Sequence, residues 1–188
     1  MKKAVKIAGI AVLALVALVG VLSLLAKNDK NITIVSTEFV KAPTNEVFDQ
    51  IRYMRNFPNW SPYLVTDPNQ KYKVTGNDGA LGATFHWEGV DEEGIGSQTI
   101  VDIKTNQLVK MRCDIITPFE ANPEFTYTLT EKNGGVEVAQ AFNVEMPFPA
   151  NVFSYLFGLR DEMRKTNELG LARLKEFVET GVASTVSR

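Results

Sequence analysis

The chain has 188 residues, 20 of them basic and 22 acidic, and three of the basic ones precede position 27. The residues after Ala26 therefore carry 17 basic against 22 acidic side chains, a net −5, and this excludes nucleic acid, whose phosphates need a basic face. The single cysteine, Cys113, excludes an intrachain disulfide, and the single histidine, His86, leaves no ligand set for a structural metal.

The first element is residues 7–26, 20 positions without a charge, 12 of which are Leu, Ile or Val. As a helix they span about 30 Å, the thickness of a bilayer's hydrocarbon core. Lys2, Lys3 and Lys6 precede them and are expected to stay cytoplasmic, which leaves the rest of the chain outside the cytoplasm. The competing reading is a cleaved signal peptide, whose apolar region is normally shorter. Leu24-Leu25-Ala26 lacks the small residues that cleavage requires at both flanking positions, so a retained anchor is the better reading.

A polar stretch at 27–31 leads into an expected strand at 32–40. Residues 42–62 read as a capped helix that stops in an elbow carrying Trp60 and two prolines. Pro43 suits a helix start, because an N–H of the first turn has no partner there anyway. Val47, Ile51 and Met54 recur at helical spacing, with Phe48 widening the stripe. Phe57-Pro58 ends it, since a residue before proline is pushed out of the α region.

From Lys71 the pattern turns to short alternating segments divided by turn residues. The dividers are Asn77-Asp78-Gly79, Glu92-Glu93-Gly94, Lys104-Thr105-Asn106 and Asn133-Gly134-Gly135, the last expected to make a type I′ hairpin. They set off six strands, near 71–75, 83–90, 97–103, 108–116, 124–131 and 136–146. Residues 151–179 read as one long helix with an inward stripe of Leu156, Met163, Gly170, Leu174 and Phe177, interrupted by Asn167. Gly94-Ile95-Gly96 is no dinucleotide fingerprint, because Thr99 takes the third glycine's place within a hairpin.

The expected class is therefore α+β: a curved antiparallel sheet of about seven strands wrapped on a long C-terminal helix, behind an N-terminal transmembrane helix. The expected organisation is an anchor (or signal peptide) at 1–26, a linker at 27–31, one domain at 32–180 and a tail at 181–188.

The helix-and-elbow at 42–62 resembles that of the START-like SRPBCC superfamily of helix-grip proteins, and most nearly its polyketide cyclase/dehydrase-like branch. The segments Phe85-His86-Trp87-Glu88-Gly89, Thr117-Pro118-Phe119-Glu120-Ala121-Asn122 and Gly170-Leu171-Ala172-Arg173-Leu174-Lys175 are also similar to the family's, and the likeness runs over about 32–178. The resemblance implies a sheet closed by one helix around an apolar cavity. Acid, base and carbonyl-polarising groups vary among the catalytic relatives, so no catalytic residue carries over.

Alternation puts a matching apolar set on the inner face of the sheet. The expected ligand-lining rings are Trp60, Phe85, Trp87, Phe125, Tyr127 and Phe142, joined by Met111, Cys113 and Met163. Gln140 and Asn167 are the two polar side chains on inward stripes, and a buried amide needs a partner, which a ligand can supply. His86 alternates with Phe85 and Trp87 and so is expected to face solvent with Glu88.

The reading is a membrane-tethered, extracytoplasmic domain that binds a hydrophobic small molecule or lipid, without cofactor or metal, and without a catalytic residue. The alternative is a cyclase- or dehydratase-like enzyme using His86, Glu88 or Tyr127 on a bound polyketide-like substrate.

Overall fold

The computed structural model describes residues 2–66, 69–90, 94–117 and 119–182. The turn at Glu92-Glu93 and Pro118 of the 117–122 segment lie outside them, as does most of the tail.

Helix α1 (Lys2–Leu25) is the one described helix long and apolar enough to cross a membrane, and almost none of that apolar stretch is buried against the rest of the chain. It continues into a 3-10 turn, Ala26–Asp29, and then strand β1 (Asn31–Val40). Helix α2 (Thr44–Arg52) buries Val47, Phe48 and Ile51. It ends earlier than the periodicity predicts. Met54–Asn59 forms a separate 3-10 segment that carries Pro58 inside it, and Met54 is buried from there. A loop carboxylate fixes this break: Met54 donates its backbone N–H to Asp78 Oδ1 at 2.7 Å. A one-turn helix, α3 (Tyr63–Thr66), comes after the elbow.

Strands β2 (Lys71–Thr75), β3 (Thr84–Glu88), β4 (Ile95–Lys104), β5 (Leu108–Ile115), β6 (Glu124–Lys132) and β7 (Gly135–Glu145) complete the sheet. Every pairing is antiparallel, in the order β1-β7-β6-β5-β4-β3-β2, so the first strand joins the meander at its far end. The β6–β7 hairpin has the expected two-residue loop, with Lys132 paired to Gly135. Only Gly134 takes a positive φ there, so the turn is not type I′, which needs it at both central residues. Gly96 has a packing role. A Cβ there would meet the Trp87 ring at 2.5 Å and the Asp114 carbonyl oxygen at 2.8 Å.

The C-terminal helix is two helices. α4 (Ala150–Phe157) and α5 (Leu159–Thr180) meet at Gly158, which is left-handed at φ 63°. That residue ends the first helix, its N–H reaching back to the Ser154 and Tyr155 carbonyls, and the helix axis breaks there. Leu156 therefore leaves the expected inward stripe and is exposed. α5 instead buries Asn167, Gly170, Leu171 and Leu174, with Met163 and Phe177 half-buried. It packs along β1 and is pinned by ion pairing of Lys175 with Glu38 at 2.7 Å. Gly158→Ala should destabilise the fold by about 1–2 kcal/mol, the cost of a Cβ in the left-handed region, read as a lower urea midpoint.

Candidate ligand cavity

The sheet curls away from α5 and leaves a cavity of about 550 Å³ between them. This is mid-range for a small-molecule site. Three elements build its wall. The elbow brings Phe57 and Trp60 edge-on at 4.9 Å, the sheet supplies Phe85, Trp87, Phe125, Tyr127 and Phe142, and α5 supplies Leu159, Met163 and Asn167.

Ten of the eleven side chains expected to line the cavity do so: Trp60, Phe85, Trp87, Cys113, Phe125, Tyr127, Gln140, Phe142, Met163 and Asn167. Met111 is the exception. It lies on the inner face but in the filled part of the core, where its sulfur accepts a contact from Gln98 Nε2 at 2.7 Å. Alternation gives the face of a strand residue, not its distance from the helix that closes the sheet, and that distance decides between core and cavity.

Sequence reasoning missed Phe57, Tyr63, Gln98, Thr117 and Thr166. Gln98 was legible as the inward partner of Cys113 across β4 and β5. Tyr63 had no periodic signal, because a one-turn helix has none.

One hydrogen-bonded polar cluster joins the sheet to α5 in the wall. Gln140 donates from Nε2 to the Tyr127 hydroxyl at 3.2 Å and to Asn167 Oδ1 at 3.5 Å. Asn167 is 1% exposed, and its Nδ2 has no hydrogen-bond partner. A buried unpaired donor costs about 1–3 kcal/mol, so its retention points to a partner supplied from the cavity. No Asp, Glu, Lys, Arg or His is among the described lining residues.

The titratable groups of the wall are neutral near pH 7. Burial pushes the Cys113 thiol from near 9.0 up to about 12, with the Asp114 charge adding to it. Burial likewise raises the Tyr127 hydroxyl well above the phenol range, helped by Tyr63 and Cys113. Tyr63 is raised in the same way by burial and then by Cys113, although 39% of its whole surface stays exposed.

An ionised Cys113 is favoured only in the unfolded chain. Its contribution to stability is therefore complete below pH 9.0 and is lost as pH rises toward 12. Thermal unfolding monitored upward from pH 8 should show the wild type losing more stability than Cys113→Ser.

His86 and Glu88 face outward. The His86 ring lies 2.9 Å from Thr75 Oγ1 across the β2–β3 pair, and Glu88 pairs with Lys71. A base must come within about 3 Å of the proton it takes, and neither residue reaches the cavity. His86→Ala should leave stability within about 0.5 kcal/mol and any ligand affinity unchanged, by urea titration and probe binding.

No protein-family model and no curated protein matches the sequence. Solved structures do share its shape. A protein from Chromobacterium violaceum superposes with a TM-score of 0.58 at 13% identity, over 78% of this chain and 96% of that one. Ara h 8.0201 does so with 0.56 at 15%, over 80% and 99%. The di-domain ARO/CYC StfQ from the steffimycin biosynthetic pathway gives 0.62 at 11%, over 80% of this chain and 51% of that protein. The chain has the helix-grip fold expected from its elbow and strand pattern: α+β, with a seven-stranded antiparallel sheet wrapped on the C-terminal helix.

Proposed function

We propose that this chain is a membrane-tethered, extracytoplasmic domain that holds an uncharged hydrophobic small molecule or lipid in its cavity. The observation that carries the proposal is the make-up of the wall. It is aromatic and aliphatic over most of its area, with a neutral hydrogen-bonded cluster of Tyr127, Gln140 and Asn167 at α5 and no charge among its other described polar side chains, such as Gln98, Thr117 and Thr166. Placing a carboxylate or ammonium against it would desolvate a charge without a counter-ion, which is costly. A ligand with one carbonyl or hydroxyl suits it better: the oxygen accepts from Asn167 Nδ2 while the carbon body fills the aromatic part. α1 supports the tether by its length and composition. The lysines before it, Lys2, Lys3 and Lys6, support the orientation.

A fatty probe with an uncharged head should bind saturably to the full chain in detergent and be displaced by fatty alcohols or amides. Fatty acids at pH 8 should compete poorly. Equal competition by acids and amides would contradict the neutral-ligand reading.

A second reading has one feature in its favour. Tyr63, Tyr127 and Cys113 converge on one region of the wall, and StfQ is named as an ARO/CYC protein. All three groups keep their protons near pH 7. They can donate to a carbonyl oxygen and polarise it, as a cyclase-like role requires. No wall residue among those described supplies the matching base. Turnover of a polyketide-like substrate that is lost in Tyr127→Phe would favour this reading over simple binding.

A further inference from the structure

α4 carries a surface that the cavity does not explain. Its eight residues contain no charge, and Phe153, Tyr155, Leu156 and Phe157 are exposed, Phe157 at 77%, with Phe148 exposed just before them. The Phe153 and Phe157 rings stack at 6.4 Å on the outer side of the helix. Phe153, Leu156 and Phe157 share one side of the helix, and a paired aromatic face of this kind is unusual on a surface that only meets water.

Its position gives the occupant. α4 packs against the end of α1 and the 3-10 turn that continues from it. The carbonyls at that end would otherwise be left without partners. Asn151 Nδ2 donates to the Ala26 carbonyl at 3.2 Å, and Arg160 Nη2 to the Asn28 carbonyl at 2.8 Å. Asp29, buried at the junction, accepts from Ser154 Oγ and Arg160 Nε, each at 3.4 Å. The junction is thus a fixed joint. Whatever medium surrounds the last turns of α1 meets the face of α4 beside it.

We infer that α4 is an interfacial helix, its aromatic face set into the headgroup region of the bilayer that α1 crosses, so that the domain lies against the membrane. This rests on the membrane-tethered reading above. Aromatic side chains favour that depth, where the Phe153 and Phe157 rings meet the acyl boundary. Lys27 and Lys30, exposed on the same joint, face lipid phosphates. The docking has a consequence for the cavity. Met146, two residues before Phe148, and Leu159, two residues after Phe157, both line it. The docked helix therefore holds one wall of the cavity at the lipid surface, where an apolar ligand is most concentrated.

The test uses the full chain with Cys113→Ser, reconstituted into phosphatidylcholine–phosphatidylglycerol vesicles and spin-labelled at one introduced cysteine. Phe153→Cys and Phe157→Cys probe the face, Leu15→Cys probes the span, and Asn133→Cys probes the β6–β7 turn at the opposite end of the domain. Labels at 153 and 157 should lose accessibility to a water-soluble nickel complex and gain accessibility to oxygen, relative to 133. If they match 133 while 15 is in lipid, the docking is wrong and the anchor stands. If 15 is also in water, the anchor fails and the docking with it. Dipolar broadening between labels at 157 would assign the face to a second copy of the chain and overturn the proposal.

Discussion

Trp60→Ala should cost about 3–5 kcal/mol, the range for deleting a large buried ring. Trp60 is 2% exposed, and its indole N–H donates to the Gln50 carbonyl at 3.2 Å, which ties the elbow to α2. The ring stands edge-on to Phe57 and, at 6.1 Å, to Tyr127. Removing it leaves the Gln50 carbonyl without that donor and opens the cavity into the space behind the elbow. Against the 5–15 kcal/mol typical of a domain, the loss is a large fraction of the total. Urea unfolding should show a midpoint far below wild type. Trp87→Ala should cost clearly less, because that ring is half-buried at the cavity wall.

Asn167→Leu should separate stability from binding. Leucine is close to asparagine in size, removes the unpaired Nδ2, and leaves Gln140 its bond to the Tyr127 hydroxyl. The empty protein should keep its stability within about 1 kcal/mol, since the unpaired Nδ2 is gone while Gln140 Nε2 loses only its longer, 3.5 Å acceptor. Affinity for a carbonyl-bearing ligand should fall about fivefold to thirtyfold, the worth of one buried hydrogen bond. Both quantities are measurable on one sample, by thermal unfolding without ligand and by probe titration. A variant that loses stability and keeps affinity would make Asn167 an ordinary core amide.

Much of this layout was legible because the signals were periodic. Val109 and Cys113 on β5, and Phe125 and Tyr127 on β6, alternate with polar neighbours, and a half-buried strand admits no other facing without exposing its whole apolar set. Gln140 and Asn167 stood out as polar residues on apolar stripes, and they meet across the cavity. The departures arise where one residue overrides a pattern. Gly158 takes a left-handed conformation that splits a run otherwise suited to a single helix. Asp78, 24 residues along the chain, accepts the Met54 N–H and closes α2 early. Met111 had the right face and the wrong depth. Tyr63 sits in a turn too short to carry a period.

The claim on which the rest depends is that the cavity of about 550 Å³ holds an uncharged apolar molecule. Native mass spectrometry of the full chain, purified in mild detergent from the cells that make it, tests it most directly. The wild type should carry a discrete bound mass that is released on collisional activation as a neutral species, and Asn167→Leu should carry much less of it. A wild-type spectrum showing only the bare chain, or a bound mass released as an anion and retained equally by Asn167→Leu, would contradict the account.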